Sequence, residues 1–151
     1  MKVNFKSIGI TLGLVVIACI VFYLNIAIFI SGPVHKYNDK IDHQIAHIEK
    51  AYTDISDITR HVFHYVVYIG EDKENYVWFN EKGKSIDVRT KDTYDIRKVK
   101  QIIKEDYHGR DLKITLGYGY KNPVYVVNFD QGEVLLDYDT FEEIYFLKKG
   151  E

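Results

Sequence analysis

Residues 8–30 are 23 consecutive positions without a charge, and no other feature restricts the chain so tightly. At 1.5 Å rise per residue such a helix is about 35 Å long, against a hydrocarbon core of about 30 Å. It is expected to be a transmembrane helix with modest tilt. Lys2 and Lys6 precede it, and every acid lies after residue 30. That bias places residues 1–7 as a cytoplasmic tail and the C-terminal part outside the cell membrane, in a single-pass arrangement. Lys36 and Lys40 follow on the far side, partly balanced by Asp39 and Asp42.

The apolar run is too long for the core of a cleavable signal peptide. Val16-Ile17-Ala18-Cys19 matches a lipoprotein cleavage box, but eleven uncharged residues still follow Cys19, where a lipoprotein turns polar. Cys19 is read as a small apolar residue in mid-membrane. It is the one cysteine of the chain, so no internal disulfide framework and no cysteine-based zinc site can form. Beyond residue 30 there are 18 basic and 22 acidic residues, a balance of −4. A mildly acidic domain without a basic cluster is a poor match for nucleic acid.

Ser31-Gly32-Pro33 punctuates the end of the span. Tyr37, Ile41, Ile45, Ile48, Tyr52 and Ile55 then recur every three or four residues, which predicts an amphipathic helix over 34–54. Residues 61–69 read as a strand, 76–80 as a second and 85–89 as a third, with polar turns between. The order repeats. Residues 95–107 place Ile96, Val99, Ile102, Ile103 and Tyr107 on one helical face. Strands follow at 112–120, 124–130, 133–138 and 144–148. Residues 76–84 parallel 126–133, with one residue of slippage. The fold expected is α+β: two small modules, 34–89 and 92–151, joined near Thr90-Lys91-Asp92 and each marginal alone.

An N-terminal span followed by tandem α-β-β-β units with strand–turn–glycine hairpins resembles the TseB/YpmB-like proteins of Gram-positive bacteria. The resemblance covers essentially the whole chain. It implies two cystatin-like modules, related to the PepSY domain, with antiparallel sheets. Asp139-Thr140-Phe141-Glu142-Glu143 lacks the Thr-Gly pair with which such modules often close. The role implied is regulation of cell-wall elongation through a membrane-bound class B penicillin-binding protein, without enzymatic activity and without a cofactor. The alternative is a PepSY-type modulator or inhibitor of an extracellular peptidase.

Candidate chemistry is sparse. His35, Asp39, His43 and His47 fall at four-residue steps on one helical face, where a zinc ion or a pH response is conceivable. A solvated polar stripe explains the pattern more simply. His61 and His64 are an odd number apart in the expected strand and point to opposite faces. Ser31, Ser56 and Ser85 lie in no nucleophile motif. Gly117-Tyr118-Gly119 lies inside a strand and lacks the helix of a phosphate loop.

Two features suggest partner binding. Residues 130–143 carry Asp130, Glu133, Asp137, Asp139, Glu142 and Glu143 with no Lys or Arg; Asp137, Asp139, Glu142 and Glu143 are the expected contacts. The calcium-loop spacing is absent from this segment. In the span, Thr11, Ala18 and Asn25 form a stripe seven residues apart. Asn25 could hydrogen-bond to a partner helix, for about 0.6–2 kcal/mol.

Overall fold

The computed structural model describes residues 5–26 and 32–150; it is α+β, with an apolar N-terminal helix and two four-stranded antiparallel sheets. Lys2, the end of the apolar run at 27–30 and Ser31 lie outside the described residues, as do the side chains of Lys6, His35 and Lys36. The chain divides into two compact units, Met1–His43 and Gln44–Glu151.

In the first unit, α1 (Phe5–Ile26) is long and apolar enough over Gly9–Ile26 to cross a membrane. Its side chains from Gly9 to Ile26 are all exposed. In water that much bare apolar surface is unfavourable; in lipid it is the natural state of a helix whose backbone groups are bonded internally. Asn25 spends one donor on the carbonyl of Val21, at 2.7 Å. The next helix, α2 (Gly32–Ala51), carries Pro33 in its first turn, where the missing N–H has no helical acceptor to lose.

The second unit takes the last turns of α2 and the rest of the chain. The helix stops at Ala51 rather than at 54: the Tyr52 N–H bonds to Ile48 O at 2.8 Å, and the Ile55 N–H turns back to Tyr52 O at 3.1 Å. The first sheet follows as β1 (Ser56–Val62), β2 (Val66–Glu71), β3 (Asn75–Asn80) and β4 (Ser85–Thr90), paired in that order. The expected single strand over 61–69 is therefore two strands, and the unit has four strands instead of three. Phe63, His64 and Tyr65 make the turn, with the Phe63 N–H directed to Tyr65 O at 3.3 Å. Nothing in those aromatic residues signals a turn. What holds it is burial, because Phe63 packs against Val124, Val126 and Leu135 of the other sheet.

Next come a short 3-10 turn (Lys91–Thr93) and α3 (Ile96–Asp106). Asp95 caps the helix by accepting from the N–H groups of Arg97 and Lys98 at 3.1 and 3.0 Å, a cap worth about 1 kcal/mol. The second sheet contains β5 (Lys113–Tyr118), β6 (Pro123–Phe129), β7 (Gly132–Asp137) and β8 (Glu143–Lys148), again in sequential order. The self-similar segments 76–84 and 126–133 fall on the β3–β4 and β6–β7 hairpins. These are the last pair of one sheet and the middle pair of the other. The likeness reflects a shared strand–turn–strand pattern and not equivalent places in a repeat.

One apolar core joins both sheets. Val67, Ile69 and Trp78 come from the first, Val99 and Ile103 from α3, and Tyr125, Val127, Val134 and Leu136 from the second. Trp78 is fully buried. Its indole N–H donates to Gly117 O at 2.8 Å, and its ring meets Tyr138 edge-on at 5.9 Å. Tyr138 stacks on Tyr125 at 4.9 Å, and Tyr125 stacks in turn on Phe141. Lys98 lies 4.0 Å above the Phe141 ring, a cation–π contact that closes the stack.

Candidate functional site

The acidic segment is largely committed to holding the fold. Asp137 ends β7 and is buried, with 4% of its surface exposed. One carboxylate oxygen accepts the N–H groups of Asp139 and Thr140 at 2.9 and 2.8 Å, and the other accepts from the Asn122 side-chain amide. These bonds fix the β7–β8 turn, in which Phe141 holds a left-handed backbone with φ 64°. Asp139 receives a two-pronged contact from Arg89 on β4, at 3.0 and 2.8 Å. The guanidinium holds its carboxyl below the usual carboxylate range. Glu143 accepts from the Tyr107 hydroxyl; burial first, and then this bond, push that hydroxyl up. Glu142 is exposed and keeps a free carboxylate among the described residues. Of the four acids, only Glu142 has its carboxylate unengaged for a partner.

The open edge of β5 is sealed by side chains of the first sheet. Gly117 O is taken by Trp78, and the adjacent Tyr118 N–H donates to His61 Nδ1 at 3.1 Å. The sequence needs glycine here for space: a Cβ at 117 would lie 2.5 Å from the Val126 side chain and 2.8 Å from the His61 ring. Because Nδ1 accepts, it carries no proton. Burial lowers the His61 pKa below its ordinary 6.5, against a smaller raising effect of Glu133. A neutral-favouring histidine contributes stability that is complete above the unfolded value, about pH 6.5, and is lost as pH falls from there through the folded pKa. The thermal midpoint should therefore drop between about pH 7 and pH 5, and more steeply than in His61→Gln. Equal slopes in thermal scans of the two proteins would contradict this.

A second surface was not legible in the sequence. Three hairpin tips converge at one end of the two-sheet unit: the β1–β2 turn, the β3–β4 turn and the β5–β6 turn. They enclose an open cleft of about 740 Å³, within the range of about 300–1,000 Å³ typical of binding clefts. Its apolar wall bears Val62 (53% exposed), Tyr65 (53%), Ile86 (39%) and Tyr120 (49%). The rings are held in place. His64 meets Tyr65 edge-on at 4.6 Å and Tyr120 at 5.5 Å, while the anchored Phe63 meets Tyr120 at 5.1 Å. Tyr118 OH donates to Lys121 O at 2.8 Å and fixes the third tip. Lys82 and Lys121 line the rim with one acid, Glu81. The Lys82 turn is itself rigid: Asn80 Oδ1 accepts the N–H groups of Lys82 and Lys84 at 2.9 and 3.1 Å, and Gly83 takes φ 73°.

Of the helix histidines, His43 and His47 are exposed. A Cβ on Gly83 would lie 2.8 Å from His47 Nδ1, so the His47 ring lies against the β3–β4 turn. No three His, Cys, Asp or Glu side chains converge as metal ligands among the described residues. Asn25 is exposed on α1 and retains donor and acceptor capacity beyond its bond to Val21. Compared with family models, with characterised proteins and with solved structures, the chain matches none.

Proposed function

We propose that the protein is a non-enzymatic, membrane-anchored extracytoplasmic regulator of peptidoglycan elongation, an adaptor acting through a class B penicillin-binding protein. In this reading α1 spans the cell membrane with its N-terminus in the cytoplasm, and the two-sheet unit stands outside. The observation that carries it is the joining, in one chain, of a helix apolar enough to cross a membrane to a domain presenting a rigid, half-exposed aromatic cleft. Exposed tyrosines held in fixed positions favour protein contacts, since they offer large area at low cost in side-chain entropy. The cell-wall assignment itself comes from the resemblance of the whole chain to TseB/YpmB-like proteins.

Deleting the gene tests it. Shortened or widened cells with altered β-lactam sensitivity, restored by the full chain, are the expected result. Normal shape and sensitivity would refute the assignment, and altered secreted proteolysis in such cells would favour a peptidase modulator.

A further inference from the structure

The cleft at the hairpin tips has the chemistry of one particular kind of partner. Its wall is apolar and aromatic, and the exposed positions are contiguous, which marks a docking surface more than scattered exposure does. Val62 and Ile86 matter to the choice. Aliphatic side chains on the wall suit an inserted apolar side chain, whereas a sugar ring is better served by aromatic faces and polar groups alone. The rim supplies the second requirement. Lys82 and Lys121 face a single acid, Glu81, on a domain that is acidic beyond residue 30. The nearby Asp87 is not among the lining residues and is paired with Arg89, which it shares with Asp139, so those three side chains together carry one negative charge. A local positive rim selects an acidic partner segment. The chain's own acidic turn is a poor occupant, since Asp137 is buried and Asp139 and Glu143 are held by Arg89 and Tyr107.

We propose that this cleft docks an acidic segment of a partner protein, seating an apolar side chain against Val62, Tyr65, Ile86 and Tyr120 while flanking carboxylates meet Lys82 and Lys121. The inference rests on the adaptor reading and adds the chemistry of the contact. Pre-set rings lose little freedom on binding, so Tyr120 is the expected centre of the contact energy. The lysines, being exposed, act mainly on association rate and salt dependence.

The experiment selects a random dodecapeptide library on the full-length protein in nanodiscs, then measures fluorescence anisotropy with the recovered consensus peptide. Recovered peptides should carry Asp or Glu on both sides of an aromatic or aliphatic residue. Affinity should fall about tenfold or more in Tyr120→Ala. The same loss is expected in Lys82→Glu/Lys121→Glu, whose surface positions leave the core untouched. Failure to recover any peptide, a basic or neutral consensus, or full affinity in both variants would overturn the proposal. So would saturable binding of chitin tetrasaccharide that Tyr120→Ala abolishes, since the cleft would then be a sugar site. Neither readout involves cell shape. Peptide docking without an elongation defect on deletion retires the cell-wall assignment alone, and a defect without peptide docking retires the cleft alone.

Discussion

Trp78→Ala is expected to be the most damaging single substitution in the two-sheet unit. Truncating a buried tryptophan costs about 3–5 kcal/mol through lost transfer energy and the residual cavity. Here it also strips the hydrogen bond from Gly117 O on the β5 edge, leaving a buried carbonyl without its partner. At about 4–8 °C per kcal/mol for a domain near 100 residues, the thermal midpoint should fall by roughly 12–40 °C, within reach of complete unfolding. Trp78→Phe separates the two contributions. It keeps most of the ring packing against Tyr138 and loses the donor, so a smaller loss of about 1–3 kcal/mol is expected. Urea titrations of both variants measure the difference. Near-native stability in Trp78→Ala would mean that the sheets do not depend on the core described for them.

The reason Trp78 matters so much lies beyond the reach of sequence patterns. Periodicity located every helix and most strands, because the nearly continuous apolar runs of β6 and β7 and the apolar face of α3 leave direct marks in residue order. It failed at Phe63-His64-Tyr65. A turn made of aromatic residues is stable only because Phe63 finds Val124, Val126 and Leu135, residues 61 to 72 positions away. The same long-range contact creates the cleft. Once residues 61–69 are read as one strand, His64 and Tyr65 become sheet residues and their joining with Tyr120 is invisible. The acidic segment shows the opposite failure. Its charges were legible, but Asp137 and Asp139 are acids that the fold uses, one as the cap of a turn and the other as the partner of Arg89. Composition counts carboxylates without revealing which have donors waiting for them. Gly117 was readable only as an exception to a phosphate loop; the reason for it is the approach of His61 and Val126.

These placements also separate what the two-sheet unit does for itself from what it offers others. Trp78, His61 and Asp137 satisfy buried or edge-exposed polar groups of the same unit. Tyr65, Tyr120, Lys82 and Lys121 satisfy none of its structural needs through their side-chain termini, although the rings are held in place by neighbours. A half-exposed ring in a fixed position is most simply explained by a contact that the isolated chain does not make.

Photocrosslinking in intact cells tests that contact directly. A photoreactive amino acid replaces Tyr120 in the full chain, and a second protein carries it at Lys104, exposed on α3 away from the cleft lining. Both are expressed at the natural level. Irradiation should join position 120, and not position 104, to a class B penicillin-binding protein, identified by its covalent label with a fluorescent β-lactam. Because the reaction needs near-contact distance, the yield should be all-or-none between the two sites. Lys82→Glu/Lys121→Glu, added to the position-120 protein, should reduce the adduct severalfold. The same labelled adduct from both positions, or none from position 120 in cells whose elongation depends on the protein, would contradict docking through the hairpin-tip cleft.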